Sequence, residues 1–173
     1  MQSPSPRIAL VALTALAATI LFAAHASELW GGLVPCSLCL VERWPYRVAI
    51  AVGAIGLALP ARFLRPAFAL FALAMLAAAA AALVHVGVEF AWWPSPLPQC
   101  EAPKLAGLSL ADRLAAMPAR PAKPCDEPTF LIAFLPISMA MMNLIAALTL
   151  TGGAALAMFR RGPAPAADSR NRP

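Results

Sequence analysis

Residues 34–47 read VPCSLCLVERWPYR, and how this stretch joins the apolar run that follows it decides the fold. Pro35 suits the first turn of a helix. If that helix runs on without a break, Cys36, Cys39 and Arg43 fall at i, i+3 and i+7 and share one face. Trp44 and Pro45 then sit at a membrane interface, with Pro45 kinking the helix or starting its regular part. The surrounding chain is apolar. Of its 173 residues 61% are hydrophobic and 12% charged, and the mean hydropathy is +0.75. Soluble domains carry roughly 25% charged residues, so this composition is built for lipid. The net charge of +5 is modest, and arginines sit at the ends of apolar runs. A nucleic-acid footprint needs them clustered on one face, so that class is excluded.

Four apolar runs cover about 8–24, 44–59, 68–90 and 130–158. A helix crosses the hydrocarbon core with about 20 apolar residues. The runs are rich in alanine and leucine and do not alternate, so they predict helices, the structure in which a segment satisfies its own backbone in lipid. Alanines, with Gly53 and Gly56, allow close helix approach. The expectation is an all-α membrane protein, a four-transmembrane-helix bundle with two extracytoplasmic Cys-bearing loops. Its helices are expected at about 8–26, 40–59, 66–90 and 130–158, within one membrane domain over 1–159. Arg7 followed by an apolar run and Ala24-His25-Ala26 also has the form of a signal peptide; the reading adopted keeps this run as the first helix.

Arg7, the loop with Arg62 and Arg65, and the tail with Arg160 and Arg161 form one basic face nearly free of acids. Arg43, Arg47, Lys104, Arg113, Arg120 and Lys123 lie on the other. Short loops dominate orientation, so both termini are expected in the cytoplasm and the cysteine loops outside. The tail over 160–173 reads as disordered. The long loop over about 91–129 is rich in proline, which forbids regular structure through most of it. Within it SLADRLAAM (109–117) has a Ser109 cap and an apolar face at Leu110, Leu114 and Met117. That is a short helix lying on the membrane surface or packed on the loop.

All four cysteines, Cys36, Cys39, Cys100 and Cys125, fall in the two outer loops, where disulfides persist. Two static bridges are one reading. A Cys100–Cys125 bridge would close a loop of roughly 25 residues and stabilise it by about 3 kcal/mol in the chain-entropy model. Cys36 and Cys39 enclose too little chain for that, and a Cys-x-x-Cys at a helix start is typical of redox exchange. Zinc sites commonly take two such pairs, and this chain has one, so no metal is expected. No histidine follows Cys39, which excludes c-type haem attachment. Arg43, one turn past the pair, is either a headgroup anchor or a group that binds something anionic or electron-accepting. Oxidising two thiols releases two electrons and two protons, which is what a lipid-soluble quinone takes up. A relay follows: soluble dithiol, loop pair, membrane-edge pair, quinone.

VPCSLCLVERWPYRVAI (34–50), the four apolar runs, GVEFAWWPSPLPQC (87–100) and the Cys125-Asp126-Glu127 triplet resemble the disulfide bond formation protein B (DsbB) family over about residues 8–158. The resemblance implies a quinone-dependent thiol:disulfide oxidoreductase of the bacterial inner membrane, with ubiquinone or menaquinone as cofactor. A soluble periplasmic DsbA-like oxidant would be its partner. It implies that Cys36 and Cys39 exchange with quinone, Cys39 contacting the ring and Arg43 supporting its binding. Cys100 would form the mixed disulfide with the partner, and Cys125 would be its mate. Some members carry a histidine just after the acidic residue that ends the third segment. Phe90 stands there in this chain, and His85, one turn earlier, reads as a packing histidine. Glu42 and Glu89 read as interfacial charges paired with Arg47 or Arg43, and Asn143 with Met139, Met141 and Met142 as helix packing. Two other readings remain open. One is a vitamin K epoxide reductase-like enzyme, in which the active pair follows a long loop late in the bundle. The other is a membrane scaffold with static bridges.

Overall fold

The computed structural model describes residues 5–100, 109, 111, 123–131 and 136–159. Apart from Ser109 and Ala111, the surface helix expected over 109–117 lies outside these, as does the tail over 160–173. Among the described residues the chain is helical, with no strand beyond a single parallel bridge between Cys36 and Lys123. Four long helices run in order: α1 (Pro6–Leu29), α2 (Ser37–Ala58), α3 (Leu64–Glu89) and α4 (Met139–Phe159). Among the described residues, three stretches are long and apolar enough to cross a membrane: Pro6–Leu29, Ala61–Glu89 and Met139–Phe159. The fourth helix, α2, carries Glu42, Arg43 and Arg47 in its first half and an apolar second half.

Each helix starts for a local reason. Ser5 caps α1, its hydroxyl accepting from the Ile8 N–H, and Pro6 stands at the first position, where its missing N–H costs nothing. Cys36 caps α2: its sulfur accepts from the Cys39 N–H at 3.2 Å. Helix α2 then passes through Pro45 without ending, as membrane helices do when neighbours satisfy the freed carbonyl. Ser138 Oγ accepts from the Met141 N–H at 3.2 Å at the start of α4. Residues 128–131 and 136–138 are not helical, so α4 begins at Met139.

Helix α3 is the hub, packing most extensively on α4 and α2, with α1 against α2. Leu10, Phe68, Phe71, Met75 and Leu150 are fully buried between them. Close approach is built in: a Cβ on Gly53 would fall 2.0 Å from Thr14 Oγ1 of α1. Large apolar side chains such as Phe22, Ile55, Leu73 and Leu156 face outward, a surface suited to lipid. At one end Arg7 Nη2 donates to the Leu59 carbonyl at 3.4 Å, and Arg62 stacks over Phe63. Toward the other, Arg47 lies over Trp44, the pattern of interfacial anchors.

The chain leaves α3 by a tight reversal. Trp92 N donates to Gly87 O at 2.8 Å and Ala91 N to Val88 O at 3.0 Å, which is the Schellman pairing. Ala91 takes the left-handed position, φ 54°, more usually filled by glycine. Trp93 folds back so that its Nε1–H donates to Val84 O at 3.0 Å. A Cβ on Gly87 would lie 2.0 Å from the Trp93 ring, so glycine there is what admits the indole. This turn leads to the 3₁₀ segment Pro98–Cys100.

Candidate active site

The four sequence-selected cysteines come together at one end of the bundle. Cys100 and Cys125 are joined in a disulfide with Cα atoms 5.0 Å apart. Cys36 and Cys39 are free thiols, with their Sγ atoms 2.7 Å apart. Cys36, Cys100 and Cys125 are buried in one apolar cluster with Leu38 and Val88, against which Cys39 and Leu97 pack. The bridge between Cys36 and Lys123 lays the Cys125 segment beside the start of α2. Lys123 Nζ fastens that segment, donating to Pro128 O at 3.1 Å and Thr129 Oγ1 at 2.9 Å.

Cys36 lies just outside α2, as its N-cap. Its hydrogen bond with the Cys39 side chain holds its thiol below the ordinary value. Burial opposes this, and the Cys39 N–H adds to it. That bias toward thiolate is the electrostatics of a reactive cysteine at a helix start.

Arg43 is buried, and its guanidinium makes a forked ion pair with Glu28 of α1, Nη1 reaching Oε2 at 3.0 Å and Nη2 reaching Oε1. Nη1 also lies 3.3 Å from His25 Nδ1. The pairing expected with Glu42 or Glu89 is therefore corrected. Charge from α1 holds Arg43, and its Nε is buried with no hydrogen-bond partner among the described residues. Arg43, Cys39, Glu42, Tyr46, Asn143 and Ile20 line a cavity of about 230 Å³ between α1, α2 and α4.

His85 is a second correction. It is buried, but beyond packing it stands between a thiol and a carboxylate. Nε2 is 3.5 Å from Cys36 Sγ and Nδ1 is 2.7 Å from Glu42 Oε1. The other Glu42 oxygen accepts from Asn143 Nδ2, and Asn143 Oδ1 accepts from the Tyr46 hydroxyl at 2.7 Å. Cys36, His85, Glu42, Asn143 and Tyr46 thus form one polar chain across α2, α3 and α4, buried except at the half-buried Asn143. Asn143 is part of it and does more than pack. Glu89 accepts from Ser138 Oγ, joining the end of α3 to the start of α4. When His85 is neutral and donates Nδ1–H to Glu42, its Nε2 lone pair faces Cys36, the tautomer able to take up a thiol proton.

The sequence model for disulfide bond formation protein DsbB matches residues 6–157. The chain belongs to the DsbB family. No curated relative and no solved structure matches it. Membership of the DsbB family makes the chain a membrane oxidoreductase of disulfide-bond formation. The residues beyond the cysteines and Arg43 left a weaker trace in the sequence of this DsbB family member. His85 and Asn143 are polar groups inside apolar runs, and Glu42 is a charge inside α2, positions that in a membrane helix call for a functional explanation by default. Glu28 and His25 carried no such signal, because their role arises from α1 lying against α2.

Proposed function

We propose that this chain reoxidises a soluble thioredoxin-fold dithiol of the DsbA type and passes the electrons to membrane quinone. The cysteine loops would face the periplasm and the basic ends the cytoplasm. The observation that carries this reading is the placement of Cys39. It packs on the buried cluster that holds the loop disulfide and also lines the cavity beside Arg43.

The residues fit a quinone headgroup. Pockets for drug-sized ligands run about 300–1,000 Å³, so about 230 Å³ suits one substituted ring, leaving an isoprenoid tail to lie in lipid. Arg43 lines the cavity, bringing a guanidinium suited to a carbonyl oxygen. When bound, the quinone supplies the acceptor for two electrons and two protons.

A thiolate of the reduced partner attacks Cys100 Sγ, and Cys125 leaves as thiolate. The partner's second thiol then displaces Cys100, leaving both loop cysteines reduced. These reduce a Cys36–Cys39 disulfide by the same exchange, regenerating the Cys100–Cys125 bridge. His85 takes the Cys36 proton, and Glu42 steadies the imidazolium. Arg43, gripped by Glu28, orients the acceptor beside Cys39.

The test is thiol trapping in membranes with and without quinone, in the presence of reduced partner. Both pairs should accumulate as thiols when quinone is removed and reoxidise when it is restored. Pairs that stay oxidised throughout would mean static bridges.

A further inference from the structure

The reduced Cys36–Cys39 pair has a third neighbour with metal-ligand chemistry. Cys36 Sγ, Cys39 Sγ and a His85 ring nitrogen all lie within 4.8 Å of one another. They come from the start of α2 and from α3, so the sequence, which shows a single Cys-x-x-Cys, conceals the cluster. Cys36 and His85 are buried and Cys39 is half-buried.

We infer that the reduced Cys36–Cys39 pair and His85 form a capture site for one thiophilic divalent cation of the zinc class, which holds the pair as thiolates and blocks its reoxidation. This goes beyond the electron path and does not depend on it, since it needs only a dithiol beside an oriented imidazole.

Four features support the site. Two thiolates and one imidazole are a Cys₂His donor set, which in catalytic zinc sites leaves a fourth position for water. Glu42 Oε1 lies 2.7 Å from His85 Nδ1 and holds the proton there, so the Nε2 lone pair is the one turned toward Cys36. A carboxylate on the far nitrogen of a ligating histidine is the usual outer shell of a metal. Asn143 in turn fixes the other Glu42 oxygen. Two thiolates also neutralise a divalent cation, so binding adds no net charge to a buried place. With metal–sulfur bonds of about 2.3 Å in tetrahedral geometry, the sulfurs would stand roughly 3.8 Å apart. They are 2.7 Å apart here, and rotating the half-buried Cys39 side chain supplies the difference. Binding releases the two thiol protons and transfers no electrons. The disulfide form offers no thiolate, so capture is confined to the reduced state.

The experiment uses the full-length chain with Cys100→Ser and Cys125→Ser, in detergent micelles, reduced and freed of reductant without air. Co²⁺ is the probe. The expected result is one equivalent bound, with a thiolate-to-cobalt charge-transfer band in the near ultraviolet that Zn²⁺ abolishes by displacement. After oxidation to the Cys36–Cys39 disulfide the band should not form. Glu42→Gln should weaken binding about 10–100-fold, the usual effect of losing an outer-shell partner, and His85→Ala at least as much. Absence of the band in the reduced chain, or binding that survives oxidation, would overturn the inference. So would unchanged affinity in a folded His85→Ala. Should that variant not fold, the reduced-against-oxidised comparison still decides.

Discussion

Arg43→Lys is the most informative substitution. Arginine here makes two contacts to the Glu28 carboxylate and one to His25, and it also lines the cavity. Lysine preserves the charge but offers a single ammonium group on a flexible stem. It can satisfy Glu28 or reach a ligand in the cavity, and it cannot hold the forked geometry that does both. The loss is one hydrogen bond to a charged group, worth about 1.5–3 kcal/mol. At 1.4 kcal/mol per decade that is roughly 10- to 150-fold in apparent quinone affinity. The assay is quinone-dependent oxidation of reduced partner over a range of quinone concentrations. The quinone KM should rise by that factor. Exchange between the loop pair and the Cys36–Cys39 pair, followed by trapping without quinone, should continue. An interfacial anchor would behave otherwise, because lysine snorkels as well as arginine. Unaltered quinone kinetics in a folded Arg43→Lys would therefore refute the assignment of Arg43 to the quinone site.

Three further outcomes are expected. In the reduced chain with Cys100→Ser and Cys125→Ser, iodoacetamide should alkylate Cys36 at a lower pH than an unperturbed thiol, because its lowered pKa leaves more thiolate at each pH. Cys39→Ala removes the largest cause of that lowering and should move the alkylation profile to higher pH. A thioredoxin-fold partner lacking its resolving cysteine should be captured covalently through Cys100, a product visible on a non-reducing gel. Cys100→Ala should abolish that product, and capture through Cys36 instead would reverse the proposed order. Gly87→Ala should drive a methyl into the Trp93 ring, which lies 2.0 Å from that Cβ position, and cost about 1–3 kcal/mol as overpacking. Thermal unfolding measures it, and the same substitution in a Trp93→Ala background should cost far less, the mark of a direct contact.

The helices were legible because lipid demands long apolar runs, and α1, α3 and α4 supply them. Helix α2 was harder to bound: Glu42, Arg43 and Arg47 interrupt its hydropathy, yet the helix starts at Ser37, before all three. Cys36, Cys39 and Arg43 could be singled out because their spacing lies within a single helix start. The partners of Arg43 and the chain from His85 through Glu42 to Asn143 and Tyr46 could not. Those contacts join residues separated by 15 to 101 positions, and no periodicity encodes which face of α3 meets which face of α2. Where α4 starts was obscured for a different reason, since the apolar residues from 130 onward suit lipid whether or not they are helical, and hydropathy does not register that 136–138 are outside the helix.

The apolar cluster that gathers Cys36, Cys100 and Cys125 has a kinetic corollary. Thiols and disulfides held on one chain meet at an effective concentration set by the tether, on the order of millimolar or above for short connections. A collision between two such pairs is thus first-order, indifferent to how thinly the protein is spread through the membrane. Only encounters with a diffusing partner scale with abundance. In the proposed relay, a cell that halves the number of these molecules would slow the oxidation of external dithiols in proportion, while exchange inside each molecule would run at an unaltered rate.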